Sequence, residues 1–358
     1  MRKLFALLLV MAVLPLMADA PEWGTTYKQI ESTIKAPVFK SKEYVITKFG
    51  ASTKASAARN QKAINKAIAT CSRKGGGRVV VPAGEWKTGA ITLKSGVNLV
   101  VEKDAKLQFV FDTSLYPLVR TRWEGMDCYN YQPCIYGDSV TNVGITGEGT
   151  IDGGASKEAW WFMTGVEGLG YKQGLENCKY SGSRSKLLQM VADQTPIAQR
   201  RFGKGSGLRP QLINIIDGTN VLIEGVTLLR SPFWVIHPVF CKNLTVKNVK
   251  IWNEGPNGDG CDPESCNGVL IEGCRFHTGD DCIAIKSGRN QDGRIDGRPS
   301  QNIIVRNCVM EDGHGGVVIG SEIAAGAKNV FVENCHMESA NVDGVIRIKP
   351  TQRRGGIN

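Results

Sequence analysis

The sequence of 358 residues lacks several features that would place it in familiar classes of protein. After the first twenty residues no apolar run is long enough to cross a bilayer, so no membrane span is expected. No Cys-x-x-Cys pair occurs, so a zinc site is not expected, and we predict no metal or other cofactor. No block of Lys and Arg is interleaved with aromatic residues, which argues against a nucleic-acid groove.

The N-terminus has the organisation of a signal peptide. Arg2 and Lys3 precede an apolar run over residues 5–17, and the small residues Ala18-Asp19-Ala20 follow it. We therefore predict a signal peptide over residues 1–20 and an exported protein, either periplasmic or secreted. Residues 21–358 are expected to form a single domain with a sizeable core.

Charge and cysteine content both bear on the partner and the environment. The net charge of +10 suits a polyanion such as an acidic polysaccharide, nucleic acid or membrane surface. Eleven cysteines in an exported chain suggest disulfides, although the odd number leaves at least one unpaired. Cys128 and Cys134 are the best candidates for a pair.

The chain repeats a short strand-like pattern. Each copy alternates polar and apolar residues, with Gly or Asn at the seventh place, where a bend with positive φ is expected. The copies begin at Thr219, Lys242, Asn267, Gln301 and Lys328, with a looser one at Thr141. Strands that recur every two dozen residues, without a helix between them, predict an all-β, right-handed parallel β-helix.

Stacking of such coils assigns roles to residues within the repeats and outside them. Cys274, Cys308 and Cys335 occupy one repeat position and should form a buried ladder rather than disulfides. Residues 53–72 predict an amphipathic helix that caps the first coil. No cap follows the last strand-like segment, so we expect the chain to be truncated at its C-terminus. The long insertion at residues 153–210 is expected on the binding face.

The repeat alignment also brings charged residues together. When it is extended past each strand, Asp280 falls in the same column as His314, and Asp259 in that of Asp281. One coil later Arg347 and Lys349 should point outward beside them. Several carboxyls at coil spacing must couple, so at least one pKa should rise. One protonated and one ionised carboxyl are what glycoside cleavage requires, and cations beside them suit an acidic sugar.

On these motifs the sequence resembles the polygalacturonase family, glycoside hydrolase family 28, and in particular its bacterial exo-acting members. The four signature stretches appear in order as NGDGCD (257–262), GDDC (279–282), GHG (313–315) and RIK (347–349). The resemblance extends over about residues 45–358. One departure is Gly258, where the family usually has Thr, and this puts the subsite preference in question.

The resemblance implies inverting hydrolysis of α-1,4-galacturonan by a secreted, pectin-degrading enzyme. It makes Asp280 the general acid, has Asp259 and Asp281 hold the water, and has His314 tune the cluster. Arg347 and Lys349 would bind the substrate carboxylate. The expected partner is pectin or polygalacturonate, the long insertion favours exo action, and a monomer is expected. Three alternatives remain: a calcium-dependent pectate lyase, a rhamnogalacturonan hydrolase, and a non-catalytic solenoid that binds acidic glycans.

Overall fold

The computed structural model describes residues 22–339, 341 and 343–356, so the predicted signal peptide lies outside it. Within this part, strands dominate and four α-helices occur. The strands before the insertion are β1 (Glu43–Val45), β2 (Gly77–Val81), β3 (Gly84–Thr88), β4 (Ile91–Thr92), β5 (Val97–Val101), β6 (Ala105–Phe109), β7 (Leu118–Trp123), β8 (Met126–Tyr131), β9 (Ile135–Asp138), β10 (Thr141–Gly147) and β11 (Thr150–Asp152).

The strands after the insertion continue the same succession. They are β12 (Ile213–Ile216), β13 (Thr219–Glu224), β14 (Thr227–Leu229), β15 (Ile236–Val239), β16 (Lys242–Lys247), β17 (Lys250–Asn253), β18 (Asn267–Glu272), β19 (Arg275–Thr278), β20 (Ile283–Ile285), β21 (Ser300–Arg306), β22 (Val309–Asp312), β23 (Gly315–Ser321), β24 (Ala327–Glu333), β25 (His336–Met337) and β26 (Gly344–Pro350). The α-helices are α1 (Lys28–Thr33), α2 (Ala57–Arg73), α3 (Ser183–Ala192) and α4 (Asn290–Asp296).

These strands wind into a right-handed parallel β-helix, as predicted. The first sheet has nine strands in the order β1-β2-β5-β10-β13-β16-β18-β21-β24, and the second has eight in the order β25-β22-β19-β17-β14-β11-β6-β3. The third face consists of β4-β9-β12-β15 and β20-β23-β26, joined by the isolated bridges of Cys261 to Ile236 and Ile283. Successive coils therefore pair in parallel on all three faces.

The register of the first sheet confirms the sequence repeats. Thr219 pairs with Lys242, Lys242 with Asn267, and the same column continues through Gln301 to Lys328. The bend after each strand has positive φ, at Gly225, Asn248, Gly273, Asn307 and Asn334. Only Gly, and to a smaller extent Asn, adopts this conformation readily, so the repeat encodes where each coil turns.

The core is a stack of small and branched apolar side chains. Val226, Val249, Cys274 and Cys308 are fully buried in one column, and Cys335 is partly buried below them, which confirms the predicted ladder. The predicted disulfide between Cys128 and Cys134 is wrong, because both thiols are free. Cys134 lies in the coil core, whereas Cys128 belongs to a separate apolar cluster.

The N-terminal region covers the first coil and part of the outer surface. Helix α2 begins after Ser56, whose hydroxyl accepts a hydrogen bond from the Arg59 N–H, and buries Ile64 and Ile68 against the first strands. The predicted capping helix is therefore confirmed. Helix α1, which the sequence analysis did not predict, packs Ile30 against Ile304 and Phe331 on the outside of the first sheet.

The expectation of no helix between the repeats is wrong at two places. Helix α3 lies in the insertion between β11 and β12, and α4 lies between β20 and β21. Strands β7 and β8 form an antiparallel hairpin instead of a coil. The hairpin and α3 share the second cluster, composed of Trp123, Met126, Cys128, Leu187, Val191, Leu208, Phe233 and Trp234.

In the described part of the chain, no helix is long and apolar enough to cross a membrane.

Candidate active site

The predicted acidic residues lie on one turn of the β-helix, repeated in successive coils. This turn joins the second sheet to the third: Asp259 follows β17, Asp280 and Asp281 follow β19, and His314 follows β22. The N–H of Gly260 donates to the Asp281 carbonyl, so Asp259 and Asp281 lie in adjacent coils. The repeat of the backbone thus places these side chains on one face in two adjacent columns, Asp259 with Asp281 and Asp280 with His314, as the sequence alignment required.

Three carboxyl groups form the centre of this face. Asp259, Asp280 and Asp281 each have an oxygen within 4.8 Å of the others. The side chain of Asp280 is 24% exposed, whereas those of Asp259 and Asp281 are 4% and 1% exposed. Asp280 is therefore the carboxyl that faces the solvent, and the other two lie beneath it.

Two lysines hold the buried carboxyls. Lys349 Nζ, on β26, donates to Asp281 Oδ2 at 2.5 Å, and Lys286 Nζ lies 3.4 Å from Asp259 Oδ2. Lys286 is itself buried, and its ammonium lies 4.6 Å from the centre of the Trp234 ring. An ammonium beside each carboxyl reduces the repulsion within the cluster.

The cluster retains a proton near neutral pH. Burial, and then the charge of Asp280, raise the pKa of Asp259 from 3.8 to about 8, although Lys286 acts in the opposite direction. The pKa of the neighbouring Asp262 carboxyl is also raised well above its usual range, by burial and by Asp259. Asp262 is fully buried next to Lys286, at 3.6 Å.

His314 and Arg347 complete the predicted group on its outer side. His314 Nδ1 lies 3.3 Å from Asp280 Oδ1, and its backbone N–H donates to the Asp280 carbonyl. Arg347 donates to the His314 carbonyl at 3.2 Å and to Asp343 Oδ2 at 2.9 Å. Strand β26 pairs Ile346 with Val317, which is the register expected from sequence and turns Arg347 and Lys349 outward.

A cavity of about 370 Å³ opens above the carboxyls. Its lining includes the three aspartates and Lys349, together with Phe233 and Trp234. It adjoins a second cavity of about 460 Å³, because Glu124, Arg184 and Asn257 line both. The aspartates therefore line one of two adjoining cavities, both of which have charged side chains in their lining.

The chain matches the family described as Glycosyl hydrolases family 28 over residues 199–357. The crystal structure of a hyperthermoactive exopolygalacturonase from Thermotoga maritima is 41% identical, with a TM-score of 0.87, and the match covers 92% of this chain and 73% of that one. The chain belongs to glycosyl hydrolase family 28. The family model matches only the C-terminal part of the chain. The match with the solved structure is longer and covers nearly three quarters of that structure, so the family assignment also applies to the residues before 199.

Other relatives of this family 28 chain are more distant. A probable polygalacturonase of Vitis vinifera is 31% identical over 83% of this chain and 55% of its own length. An exo-poly-alpha-D-galacturonosidase of Dickeya chrysanthemi is 28% identical over 87% of this chain and 53% of its own length. The chain thus spans little more than half the length of these two relatives.

Sequence reasoning missed three charged residues beneath the candidate site. Lys286, Asp262 and Glu322 form a buried ionic group beneath the aspartates, with Lys286 Nζ 3.2 Å from Glu322 Oε2. Burial alone would raise the pKa of Glu322, but Lys286, Arg354 and Arg289 lower it to about 2. A signal for Lys286 existed, since this lysine directly follows the apolar strand β20 in the coil of the paired aspartates.

The insertion contributes a wall of this site, on the face where it was expected. Arg184, at the start of α3, lines both cavities and forms an ion pair with Glu124 of the β7–β8 hairpin at 2.9 Å. Gly258, the departure from the family pattern, has a local cause: a Cβ there would lie 2.5 Å from the Gly255 carbonyl oxygen. This backbone has no space for a larger residue.

Proposed function

We propose that this chain hydrolyses α-1,4-galacturonosyl bonds of pectin or polygalacturonate by an inverting acid–base mechanism. The observation that carries the proposal is a cluster of three carboxyls, within 4.8 Å of one another, with Asp280 facing the cavity and Lys349 beside Asp281. The family and the polygalacturonase names of its relatives support the substrate.

In this mechanism the exposed and the buried carboxyls have different roles. The proton that Asp259 holds in the resting site first passes within the cluster to Asp280, which leaves Asp259 as a carboxylate. Asp280, which reaches the cavity, donates this proton to the leaving glycosidic oxygen as the bond between that oxygen and the anomeric carbon breaks. Asp259 and Asp281 orient a water molecule, which attacks the anomeric carbon and gives up its proton to them. The products are two shorter sugar chains, and the cluster regains the proton that it donated.

Two features favour a water nucleophile over a covalent intermediate. Asp259 and Asp281 are almost completely buried, and each is held by a lysine, which lowers the nucleophilicity of its carboxylate. The oxygens of the cluster nevertheless lie closer together than the roughly 6.5–9.5 Å common between the carboxyls of inverting enzymes. The configuration of the first product is therefore a demanding test of the mechanism.

His314 and Arg347 act around this centre. His314, 3.3 Å from Asp280, stabilises the carboxylate that remains after proton transfer. Arg347 and Lys349 offer a guanidinium and an ammonium to the substrate carboxylate on the side of the later coils, and Arg347 is held in place by Asp343. With both cations in place, the site should prefer an acidic sugar to a neutral one.

A calcium-dependent lyase is the second candidate, because three clustered carboxyls could hold a cation. Lys286 and Lys349 already provide positive charge beside two of the three, which weakens a divalent site. The test is hydrolysis of polygalacturonate in EDTA: a hydrolase produces reducing ends without ultraviolet-absorbing unsaturated sugars. Calcium dependence and unsaturated products would establish the lyase, and activity only on rhamnogalacturonan would change the substrate.

The variant Asp280→Asn tests catalysis against binding alone. We expect hydrolysis to fall by at least about a thousandfold, while binding of trigalacturonate measured by calorimetry persists. Full activity of the variant would remove Asp280 from the mechanism. Binding without hydrolysis in the unmodified chain would instead support a non-catalytic solenoid.

We further propose exo action by an exported monomer whose residues 21–358 form one catalytic domain. The insertion wall beside the cavity and the exopolygalacturonase relative from Thermotoga maritima support the exo mode. Export rests on the sequence of residues 1–20. Chromatography of early products decides the mode, since exo action releases a single small product from the start and endo action releases a series of oligomers.

A further inference from the structure

The second cavity, next to the carboxyl cluster, has a buried arginine in its lining. It measures about 460 Å³ and is lined by residues of the insertion and of the β7–β8 hairpin. Among them is Arg209, which is only 1% exposed. A buried guanidinium normally requires a carboxylate partner, because removing its charge from water is costly.

Arg209 is held rigidly but has no such partner. Its Nη1 donates to the carbonyls of Pro232 and Pro256 at 2.7 and 2.8 Å, and its Nη2 donates to Asn257 Oδ1 at 2.7 Å. These bonds use three of the five N–H groups of a guanidinium, and Nε has no partner among the residues that the structure describes. Within the described residues, Arg209 makes no ion pair with a carboxylate.

The charges around Arg209 are also unbalanced. Burial lowers the pKa of Arg209 to about 10, so it remains a cation at neutral pH. Lys179 and Arg184 line the same cavity, against the single carboxylate of Glu124. Because Arg184 and Arg289 already form ion pairs with Glu124, the cavity has an excess of positive charge.

Arg209 lies on the side of the coils that precede the aspartates along the β-helix axis, as the backbone hydrogen bonds show. The N–H of Leu212 donates to the Trp234 carbonyl, and that of Val235 donates to the Asp259 carbonyl. Arg209 therefore lies two coils before Asp259, on the side opposite to Lys349. Its partner Asn257 is two residues from Asp259 and lines both cavities.

We propose that this cavity is a second uronate subsite, in which Arg209 and Lys179 bind the carboxylate of the galacturonate unit across the aspartates from Lys349. This inference rests on the proposed function, since it takes the ligand to be a galacturonate chain. Arg209 supplies a buried cation to the subsite, and Lys179 supplies an exposed one. The two ends of the site then recognise carboxylates on both sides of the bond that is cut.

The test compares trigalacturonate with its methyl ester in the variant Arg209→Met. We expect kcat/KM for trigalacturonate to fall about 10- to 100-fold, and that for the ester to fall much less, because only the free acid loses a charged hydrogen bond. The preference for the free acid therefore decreases. A structural role alone would reduce both values in parallel, and that result in a folded variant would overturn the proposal.

Two exposed lysines of the insertion provide a matched pair that does not disturb the buried network. Lys179→Met should reduce the preference for the free acid about 2- to 5-fold, whereas Lys172→Met, outside the cavity lining, should leave it unchanged. Equal effects of these two variants would contradict the subsite, even if Arg209→Met fails to fold. If the unmodified chain does not hydrolyse galacturonan, calorimetric binding of trigalacturonate to the same variants tests the subsite separately from the proposed activity.

Discussion

Replacement of Asp259 by Asn should make the protein inactive and more stable. The pKa of Asp259 is raised from its ordinary value of 3.8 to about 8, so the folded state holds a proton that the unfolded state releases. Below about pH 3.8 this carboxyl is protonated in both states, so it does not lower the free energy of unfolding. As pH rises towards 8 it loses stability, by about 1.4 kcal/mol per pH unit.

The shift gives the size of the effect. At pH 6 the pH exceeds the unfolded pKa by about two units, so Asp259 costs about 3 kcal/mol of folding free energy, and above pH 8 about 6 kcal/mol. An Asn side chain has a similar shape and does not ionise. Lys286 retains Asp262 and Glu322 as partners in the variant.

Urea unfolding of both proteins between pH 5 and pH 7 measures this difference. The stability advantage of Asp259→Asn should rise by about 3 kcal/mol over that range. Glu322→Gln provides the opposite control. Because the pKa of Glu322 is lowered from 4.5 to about 2, this variant should lose about 3 kcal/mol at pH 6, and the loss should disappear as pH falls from 4.5 towards 2. A pH-independent difference for Asp259→Asn, or a less stable variant at pH 7, would refute the reasoning.

Further predictions concern the cation at the aspartates, an asparagine of positive φ near the start of β16 and the thiols. Lys349→Met should lower kcat/KM on polygalacturonate about 10- to 100-fold in steady-state assays, because Asp281 and the substrate both lose a charged donor; an unchanged value would remove Lys349 from the site. Asn243 has φ of +57° and its side chain bonds to Asn220 and Lys35, so Asn243→Ala should cost about 1–3 kcal/mol in urea unfolding. Asn243→Gly should cost less, and equal costs would show that backbone strain is unimportant there. All eleven cysteines have free thiols, so titration of the unfolded chain without reductant should find eleven, and a lower number would indicate a disulfide.

The β-helix and the clustering of the carboxyls on one face were predictable because both follow from repetition. Each coil turns at a Gly or Asn such as Gly273 or Asn307, and parallel pairing keeps equivalent residues in register. Once Ile283 is aligned with Val317, the backbone of His314 must lie beside Asp280. Position in the sequence is then sufficient to predict position in space.

The remaining features depend on contacts that no repeat encodes. Lys286 lies among Asp259, Asp262 and Glu322 because long side chains from separate coils converge beneath the turn. The insertion has no repeating pattern, so the wall formed by α3 and the position of Arg209 could not be deduced. The proposed pairing of Cys128 and Cys134 was wrong for the same reason, because neither residue belongs to an aligned repeat.

The anomeric configuration of the first product tests the central claim most directly. Proton NMR of a polygalacturonate digest, recorded in the first minutes before mutarotation, distinguishes the two configurations of the new reducing end. Inverting hydrolysis of an α-linkage predicts that the β-anomer appears first, with no unsaturated sugar. Initial appearance of the α-anomer would indicate a covalent intermediate on Asp259 or Asp281 and would contradict the mechanism.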